Sequence, residues 1–348
     1  MKKIKVAVIG ASGYAGLELV RTLTRHPGIE LTAIASLEYP GRPFSEIFPA
    51  LAGMVDLSYI LDPGPEKIAA LAEVVFTAVP HQAAMGMIPD FLALDCKVVD
   101  LSADFRFRDA AVYEKWYQPH TAPELLAEAV YGLPELHGYA ISQARLVGNP
   151  GCYPTCVILG LAPLVHNKLI ELDSIIADCK SGVSGAGRQT SLGTQYCEVN
   201  EGFRAYKVAE HRHQPEMEQE LSRLAGSPVA VTFTPHLAPM SRGILGTLYA
   251  RLLRPYTEME LLNFYQSFYE DQPFIRLYQP GSLPNTIFVR GSNYCDLGLK
   301  VDAARSRVIV VSAIDNLARG AATQAVHNFN LMCSFPETTG LDLVPFVP

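Results

Sequence analysis

The feature that most restricts the fold is a glycine run set directly behind the first β-rich segment. Residues 4–9 (Ile-Lys-Val-Ala-Val-Ile) read as a strand. Gly10-Ala11-Ser12-Gly13-Tyr14-Ala15-Gly16 follows at once and opens a helical stretch, Leu17–Arg25, that stops near Pro27-Gly28. Glycine allows a tight turn and a close approach of backbone to a pyrophosphate. The helix N-terminus adds free N–H groups and the positive end of a dipole. The spacing is GxxGxxG rather than GxGxxG, and an ordinary glycine-rich βα turn is the competing reading. The strand–turn–helix setting favours a dinucleotide site that includes Gly10, Ser12, Gly13, Tyr14, Ala15 and Gly16. Further apolar runs at Leu31–Ser36, Val74–Val79 and Lys97–Leu101 alternate with helical stretches. They predict parallel βαβ units, so residues 1–150 read as an α/β domain with a Rossmann-type doubly wound parallel sheet.

An acidic residue about 20 positions beyond the glycines would hold the ribose of NAD. Ser36 stands there instead, with Arg42 a little further on. A hydroxyl and a nearby guanidinium suit a 2′-phosphate, which makes NADP(H) the expected cofactor, although Glu38 lies between them.

The texture changes after Asn149-Pro150-Gly151. Cys152–Lys168, Pro215–Ala225 and Glu258–Tyr269 read as helices. Ile175–Asp178, Val229–Phe233, Leu245–Leu253, Asn285–Arg290, Asp296–Asp302 and Arg307–Ala313 read as strands. Strands without regular crossover helices suggest an antiparallel or mixed sheet. A last helix, Leu317–Met332, is placed to pack back on the first domain. With 348 residues, two domains are expected at roughly 100–200 residues each.

Composition excludes several classes. Hydrophobic residues make up 49 % and charged residues 18 %, which rules out intrinsic disorder. The net charge of −7 argues against nucleic acid as a partner. No apolar run reaches the ~18 residues of a membrane helix. Met1-Lys2-Lys3 resembles the start of a signal peptide, but Gly10, Gly13 and Gly16 interrupt the apolar core it would need. Seven irregularly spaced cysteines fit a reducing cytosol, so a cytoplasmic protein is expected.

The most informative stretch is Val147-Gly148-Asn149-Pro150-Gly151-Cys152-Tyr153-Pro154-Thr155. Proline fits the first turn of a helix, which places Cys152 at a helix N-terminus on a loop set by Pro150 and Gly151. A helix N-terminus favours the thiolate, the nucleophilic form, and its free N–H groups can hold an oxyanion. Free cysteines are commonly buried small hydrophobes. That is the reading for Cys96, Cys156, Cys179, Cys197, Cys295 and Cys333. Cys152 and Cys156 could form half of a metal site, but no second pair completes it, so no metal is expected. A cofactor loop with a nucleophilic cysteine suggests aldehyde/acyl redox chemistry through a thioester or thiohemiacetal.

These residues resemble the N-acetyl-γ-glutamyl-phosphate reductases of arginine biosynthesis. The resemblance runs in order through Gly10–Gly16, Asp100-Leu101-Ser102-Ala103-Asp104-Phe105-Arg106, Tyr131-Gly132-Leu133-Pro134-Glu135, Gly148–Thr155, Ser181–Arg188, His211-Arg212-His213-Gln214-Pro215-Glu216 and Asp315-Asn316-Leu317-Ala318-Arg319-Gly320. Cys156 departs from the family, which usually carries Gly or Ala there. The resemblance implies NADPH-dependent reduction of an N-acetylglutamyl 5-phosphate to the semialdehyde, with release of phosphate. It implies a Rossmann domain, an α+β catalytic domain at residues 151–315 resembling aspartate-semialdehyde dehydrogenase, a helix at 316–333 returning to the first domain, and a homotetramer or homodimer. Carried over, Cys152 is the nucleophile. The acid/base lies in His211-Arg212-His213, with His213 preferred, His211 as a substrate contact and Glu216 reaching back to orient His213. Arg106 would bind the leaving phosphate; its alternative is a surface ion pair with Asp104 or Asp109. Ser181 and Arg188 would bind substrate, and the Ser181–Gly187 loop offers free N–H groups. Gly185 and Asn316 would contact the cofactor, Asn316 at the nicotinamide amide, unless it is simply a helix cap. Rivals are aspartate-semialdehyde dehydrogenase, the aminoadipyl-phosphate reductase of lysine biosynthesis, and an NADP-binding redox sensor.

Overall fold

The structure is a computed structural model that describes residues 3–61 and 63–347. Met1 and Lys2 of the signal-like start lie outside the described residues. Two compact units are formed. One spans Met1–Pro150 and Ala321–Asp342, the other Gly151–Gly320 and Leu343–Pro348.

The first unit is built on β1 (Ile4–Ile9), β2 (Ile29–Ala35), β3 (Val74–Thr77), β4 (Lys97–Asp100), β5 (Val130–Tyr131) and β6 (Leu146–Gly148). Their order is β2-β1-β3-β4-β6-β5, and every pair is parallel. A parallel sheet needs both faces covered, and the sequence provides for it: Val6, Ala7, Val8, Val75, Phe76, Val98 and Val99 are fully buried. The chain leaves β1 for β2 on one side and reaches β3 on the other. The carboxyl ends of β1 and β3 therefore flank the switch point where such sheets bind ligands. The first helix, Tyr14–Leu23, starts three residues before the expected Leu17, because extended Gly13 is its N-cap. The helix Thr323–Met332 belongs to this unit. Its Asn328 amide donates to Gly132 O (2.9 Å) and Asn149 Oδ1 (3.0 Å).

The second unit holds β7 (Ile175–Gly182), β8 (Arg204–Ala205), β9 (Val231–Ala238), β10 (Ile244–Arg251), β11 (Ile275–Leu277), β12 (Cys295–Asp302) and β13 (Arg307–Ile314). The order is β11-β12-β13-β10-β7-β9-β8, a mixed sheet in which β7–β9 and β11–β12 are parallel. The helices Cys152–His166, Gln214–Ala225 and Glu258–Phe268 pack on this sheet. Cys152–His166 is apolar all round and buried from Tyr153 to Val165, as a central core helix must be. Tyr265 and Tyr269 bind it from the third helix, donating to Gly160 O and Leu159 O.

Two expectations fail locally. Asn285–Arg290 is not a strand. The Asn285 side chain accepts the Ile287 N–H (3.1 Å) and starts a 3₁₀ turn, Thr286–Phe288. The last helix is not continuous from Leu317. Asp315 Oδ1 accepts the N–H groups of Leu317 and Ala318, and Gly320 N–H bonds back to Asp315 O (2.9 Å). That five-residue step makes Ala318–Ala322 a π-helical turn, and regular helix begins at Thr323.

Candidate active site

The glycine turn occupies the carboxyl end of β1. Gly10 has φ +87°, and a Cβ there would lie 2.3 Å from Ala78 O. A Cβ on Gly16 would lie 2.4 Å from Gly10 O. Both glycines are therefore required by backbone approach alone. Gly13 differs: its nearest neighbour for a Cβ is at 3.9 Å, and no side chain caps the helix it opens. The helix start thus lies bare beneath a turn in which only Gly13 keeps open space, a cradle that fits a pyrophosphate. Tyr14 is exposed and Ala15 half-buried beside it. Ser36 donates to Ser12 Oγ (2.9 Å), tying the end of β2 to the turn. Arg42 stands about half exposed in a surface pair with Glu46 (3.1 Å).

Arg106 is buried, and neither of the ion pairs weighed for it forms its environment. Its Nε donates to Asn149 O (2.7 Å) and its Nη2 to Leu101 O (2.9 Å). Asp104 instead takes the N–H groups of Gln82 and Met85 and the Tyr113 hydroxyl, while Asp109 caps the helix Ala110–Trp116. Arg106 therefore ties the turns after β4 and β6 together. Burial, with Asp104 nearby, pushes Asp100 up to about 6.

In the second unit Cys152 is the first residue of its helix, half-buried, with extended Gly151 as N-cap. Cys156, one turn on, is fully buried against Ser312 (Oγ 3.3 Å), and burial pushes its thiol up to about 12. It behaves as packing. Tyr153 packs its ring on His211 (5.5 Å) and His213 (6.0 Å), and the two imidazoles are 4.8 Å apart. Tyr206 joins this group through its hydroxyl, 3.1 Å from that of Tyr153. His211 Nδ1 accepts the His213 N–H (3.1 Å). Burial, reinforced by Lys207 and Arg212, lowers His211 to about 4, which keeps it neutral at pH 7. Glu216, expected to orient His213, places Oε1 on the Gly151 N–H (2.8 Å) from a fully buried position. The first turn of its helix brings it to the cysteine loop.

Ser181, Gly185 and Asn316 converge. Ser181 Oγ, donating to Gly182 O, and Asn316 Nδ2 would lie 3.3 and 3.4 Å from a Cβ on Gly185. Asn316 accepts the Gly243 N–H (2.7 Å) and donates to Ser184 Oγ (2.9 Å). The helix cap is Asp315, so that alternative for Asn316 falls away. The Ser181–Gly187 loop is less open than expected. Gly182, Val183, Ser184 and Gly187 spend their N–H groups on Gly243, Met240, Ser241 and Ser184 carbonyls. Arg188 is half-buried at its end. Sequence reasoning missed Tyr153, Tyr206, Asp315 and Gly320. The two tyrosines are ordinary in sequence, and only the neighbours Cys152 and His211 marked their place.

Residues 5–144 match the family model described as semialdehyde dehydrogenase, NAD binding domain, and residues 152–316 match semialdehyde dehydrogenase, dimerisation domain. A protein of Syntrophobacter fumaroxidans named N-acetyl-gamma-glutamyl-phosphate reductase is 58% identical over 99% of this chain and 100% of its own. Its namesake in Geobacter metallireducens is 57% identical over the same shares. Aspartate semialdehyde dehydrogenase II of Vibrio cholerae, solved with ASA, superposes with TM-score 0.73 at 16% identity, covering 96% of this chain and 99% of that one. The Candida albicans enzyme, solved with NADP, gives 0.71 at 15% identity, covering 95% and 99%. The family models over both units and the full-length identity converge: the chain belongs to the N-acetyl-gamma-glutamyl-phosphate reductase family of semialdehyde dehydrogenases.

Proposed function

We propose that this chain reduces N-acetyl-L-glutamyl 5-phosphate to N-acetyl-L-glutamate 5-semialdehyde and phosphate, a step of arginine biosynthesis, using NADPH and a thioester on Cys152. The observation that carries the reading is Cys152 at the first position of its helix, with its neighbour Tyr153 packed on both His211 and His213.

Cys152 Sγ attacks the acyl carbon, the C–O bond to phosphate breaks, and a thioester remains on sulfur. The positive end of the helix dipole at Cys152 favours the developing oxyanion. The Gly10–Gly16 turn, with Ser36 and Arg42 toward the 2′-phosphate, would hold NADPH, which would supply a hydride for reduction of the thioester. His213 holds the proton that the thiohemiacetal exchanges as it collapses to aldehyde and thiolate. His211 serves less well as an acid, because its Nδ1 is an acceptor for His213 N–H and its charged form is disfavoured. It is assigned to substrate contact. Arg106, Ser181 and Arg188 are assigned to phosphate and substrate, Gly185 and Asn316 to the cofactor. The family's dimerisation domain supports assembly of copies, as a homodimer or homotetramer. The sheet face that carries Thr247, Tyr249, Asp178 and the 37% exposed Ile176 suits that contact. Leu248, Val310 and Ser312 on the opposite face lie beneath Gly160 of the central helix. Among the described residues no helix is long and apolar enough to cross a membrane. No disulfide joins the described cysteines, and the cytoplasm is the setting we assign to the chain.

The test runs the reaction backwards. NADP+, phosphate and N-acetylglutamate 5-semialdehyde are mixed with protein, and NADPH absorbance is followed. Phosphate-dependent formation of NADPH that Cys152→Ala abolishes is expected. Activity only with aspartate semialdehyde would replace the substrate, and full activity in Cys152→Ala would remove the nucleophile.

A further inference from the structure

The π-helical turn after β13 lies against the carbons of Cys152. Gly320 lies in it with a negative φ, so its backbone does not demand glycine. Space does: a Cβ on Gly320 would sit 2.7 Å from Cys152 Cβ and 3.2 Å from Cys152 Cα. Asp315 anchors the turn. Asp315 is fully buried. Its Oδ1 accepts Leu317 N–H (2.8 Å) and Ala318 N–H (2.9 Å). Its Oδ2 accepts Gly291 N–H (2.8 Å) and faces Arg242 Nη1 (3.4 Å). Its carbonyl accepts Gly320 N–H, closing the turn. Single π turns inside helices are rare and concentrate at functional sites. Here the wider turn brings glycine backbone against Cys152, where a regular helix would offer a different residue.

We infer that Asp315 and Gly320 are positioning residues that fix the Cys152 side chain through the turn Ala318–Ala322. The inference rests on the assignment of Cys152 as nucleophile, and it separates from that assignment by its readout. Asp315 sets the register of the turn. Gly320 then forms a close wall against Cys152 Cβ and limits the directions in which Sγ can lie. Asn316, between them in sequence, is held by the same turn and by Gly243.

The test compares wild type, Gly320→Ala and Asp315→Asn by iodoacetamide labelling, read residue by residue by mass spectrometry. Exposed Cys197 is the internal reference. The labelling rate of Cys152 relative to Cys197 should change by about tenfold in Gly320→Ala, equivalent to about 1.4 kcal/mol. The loss in kcat should approach about 100-fold, as expected when a reacting group is displaced by about 1 Å, with the Kd for NADPH unchanged. Asp315→Asn should shift the same ratio in the same direction, and it carries the test where Gly320→Ala fails to fold. Wild-type labelling ratios in folded variants would overturn the inference, whatever their melting temperatures. Retained turnover in Cys152→Ala would instead overturn the nucleophile assignment, since labelling does not depend on catalysis.

Discussion

Glu216 Oε1 accepts the Gly151 N–H at 2.8 Å, with the carboxylate fully buried. A glutamate three residues past His213 thus acts on the residue that caps the Cys152 helix. Removing the acceptor leaves a buried N–H unsatisfied, which costs about 1–3 kcal/mol. Glu216→Ala should lose that much stability and most of its kcat. Glu216→Gln keeps an acceptor oxygen and should lose clearly less stability. Urea unfolding and steady-state rates on the two variants check this. Equal losses in both would show that the charge, not the bond to Gly151, is what matters.

Burial of His211 sets the sign of its contribution to the pH dependence of stability. Its folded value, about 4, lies below the ordinary 6.5, because burial and the cations Lys207 and Arg212 disfavour the imidazolium. Between these values the unfolded chain binds more protons, so His211 favours folding above pH 6.5, and that contribution is lost as pH falls toward 4. Its size is at most about 3 kcal/mol. Asp100, raised to about 6 from 3.8, acts oppositely in the same window, since its folded form binds the extra proton. His211→Gln should therefore flatten the fall in urea midpoint between pH 7 and pH 5. An unchanged fall would place the acid sensitivity elsewhere.

Much of this site is legible in the sequence because its physics is local. Gly10 and Gly16 announce a turn, since their crowding comes from residues near in sequence or from the adjoining strand end. Cys152 announces a helix start because Pro150, Gly151 and Pro154 admit little else. The roles that escaped depend on contacts distant in sequence. Glu216 reads as a partner of His213, three positions away, and nothing near it in sequence announces its bond to Gly151. The Ser181–Gly187 loop reads as open N–H groups, but residues 240–243, in the connection from β9 to β10, take those of Gly182, Val183 and Ser184. Asn285 reads as the start of a strand from its apolar neighbours, yet its own side chain caps a turn. The π turn has no pattern of its own. It is defined by the bond from Gly320 N–H back five residues to Asp315 O, while the Asp315 side chain caps the Leu317 and Ala318 N–H groups.

Gly13 should separate cofactor binding from folding. A methyl group at Gly10 or Gly16 would strike backbone at 2.3 or 2.4 Å, so Gly10→Ala and Gly16→Ala should unfold the turn and lower the melting temperature. Gly13 has a 3.9 Å neighbour and a negative φ, so Gly13→Ala should fold normally. The added methyl group fills the open side of the helix start. NADPH affinity, read by fluorescence titration, should fall about tenfold or more, the equivalent of about 1.4 kcal/mol. Unchanged affinity in a normally stable Gly13→Ala would move the pyrophosphate away from this helix.

Arg42 should set the preference for NADP over NAD. Its present partner is Glu46, in a pair with both side chains about half exposed, and such pairs contribute about 0–1 kcal/mol. A bound 2′-phosphate can therefore redirect the guanidinium at little cost, and a charged hydrogen bond there is worth about 1.5–3 kcal/mol. Ser36, held against Ser12, offers the second polar group at the end of β2. Arg42→Ala should weaken NADPH binding about tenfold or more while leaving NADH binding near the wild-type value. Its melting temperature should hardly move, because the group is exposed. Glu46→Ala, which frees the guanidinium, should strengthen NADPH binding slightly and give no change for NADH. An equal loss for both nucleotides in Arg42→Ala would detach this residue from the 2′-phosphate and leave Ser36 as the discriminating group.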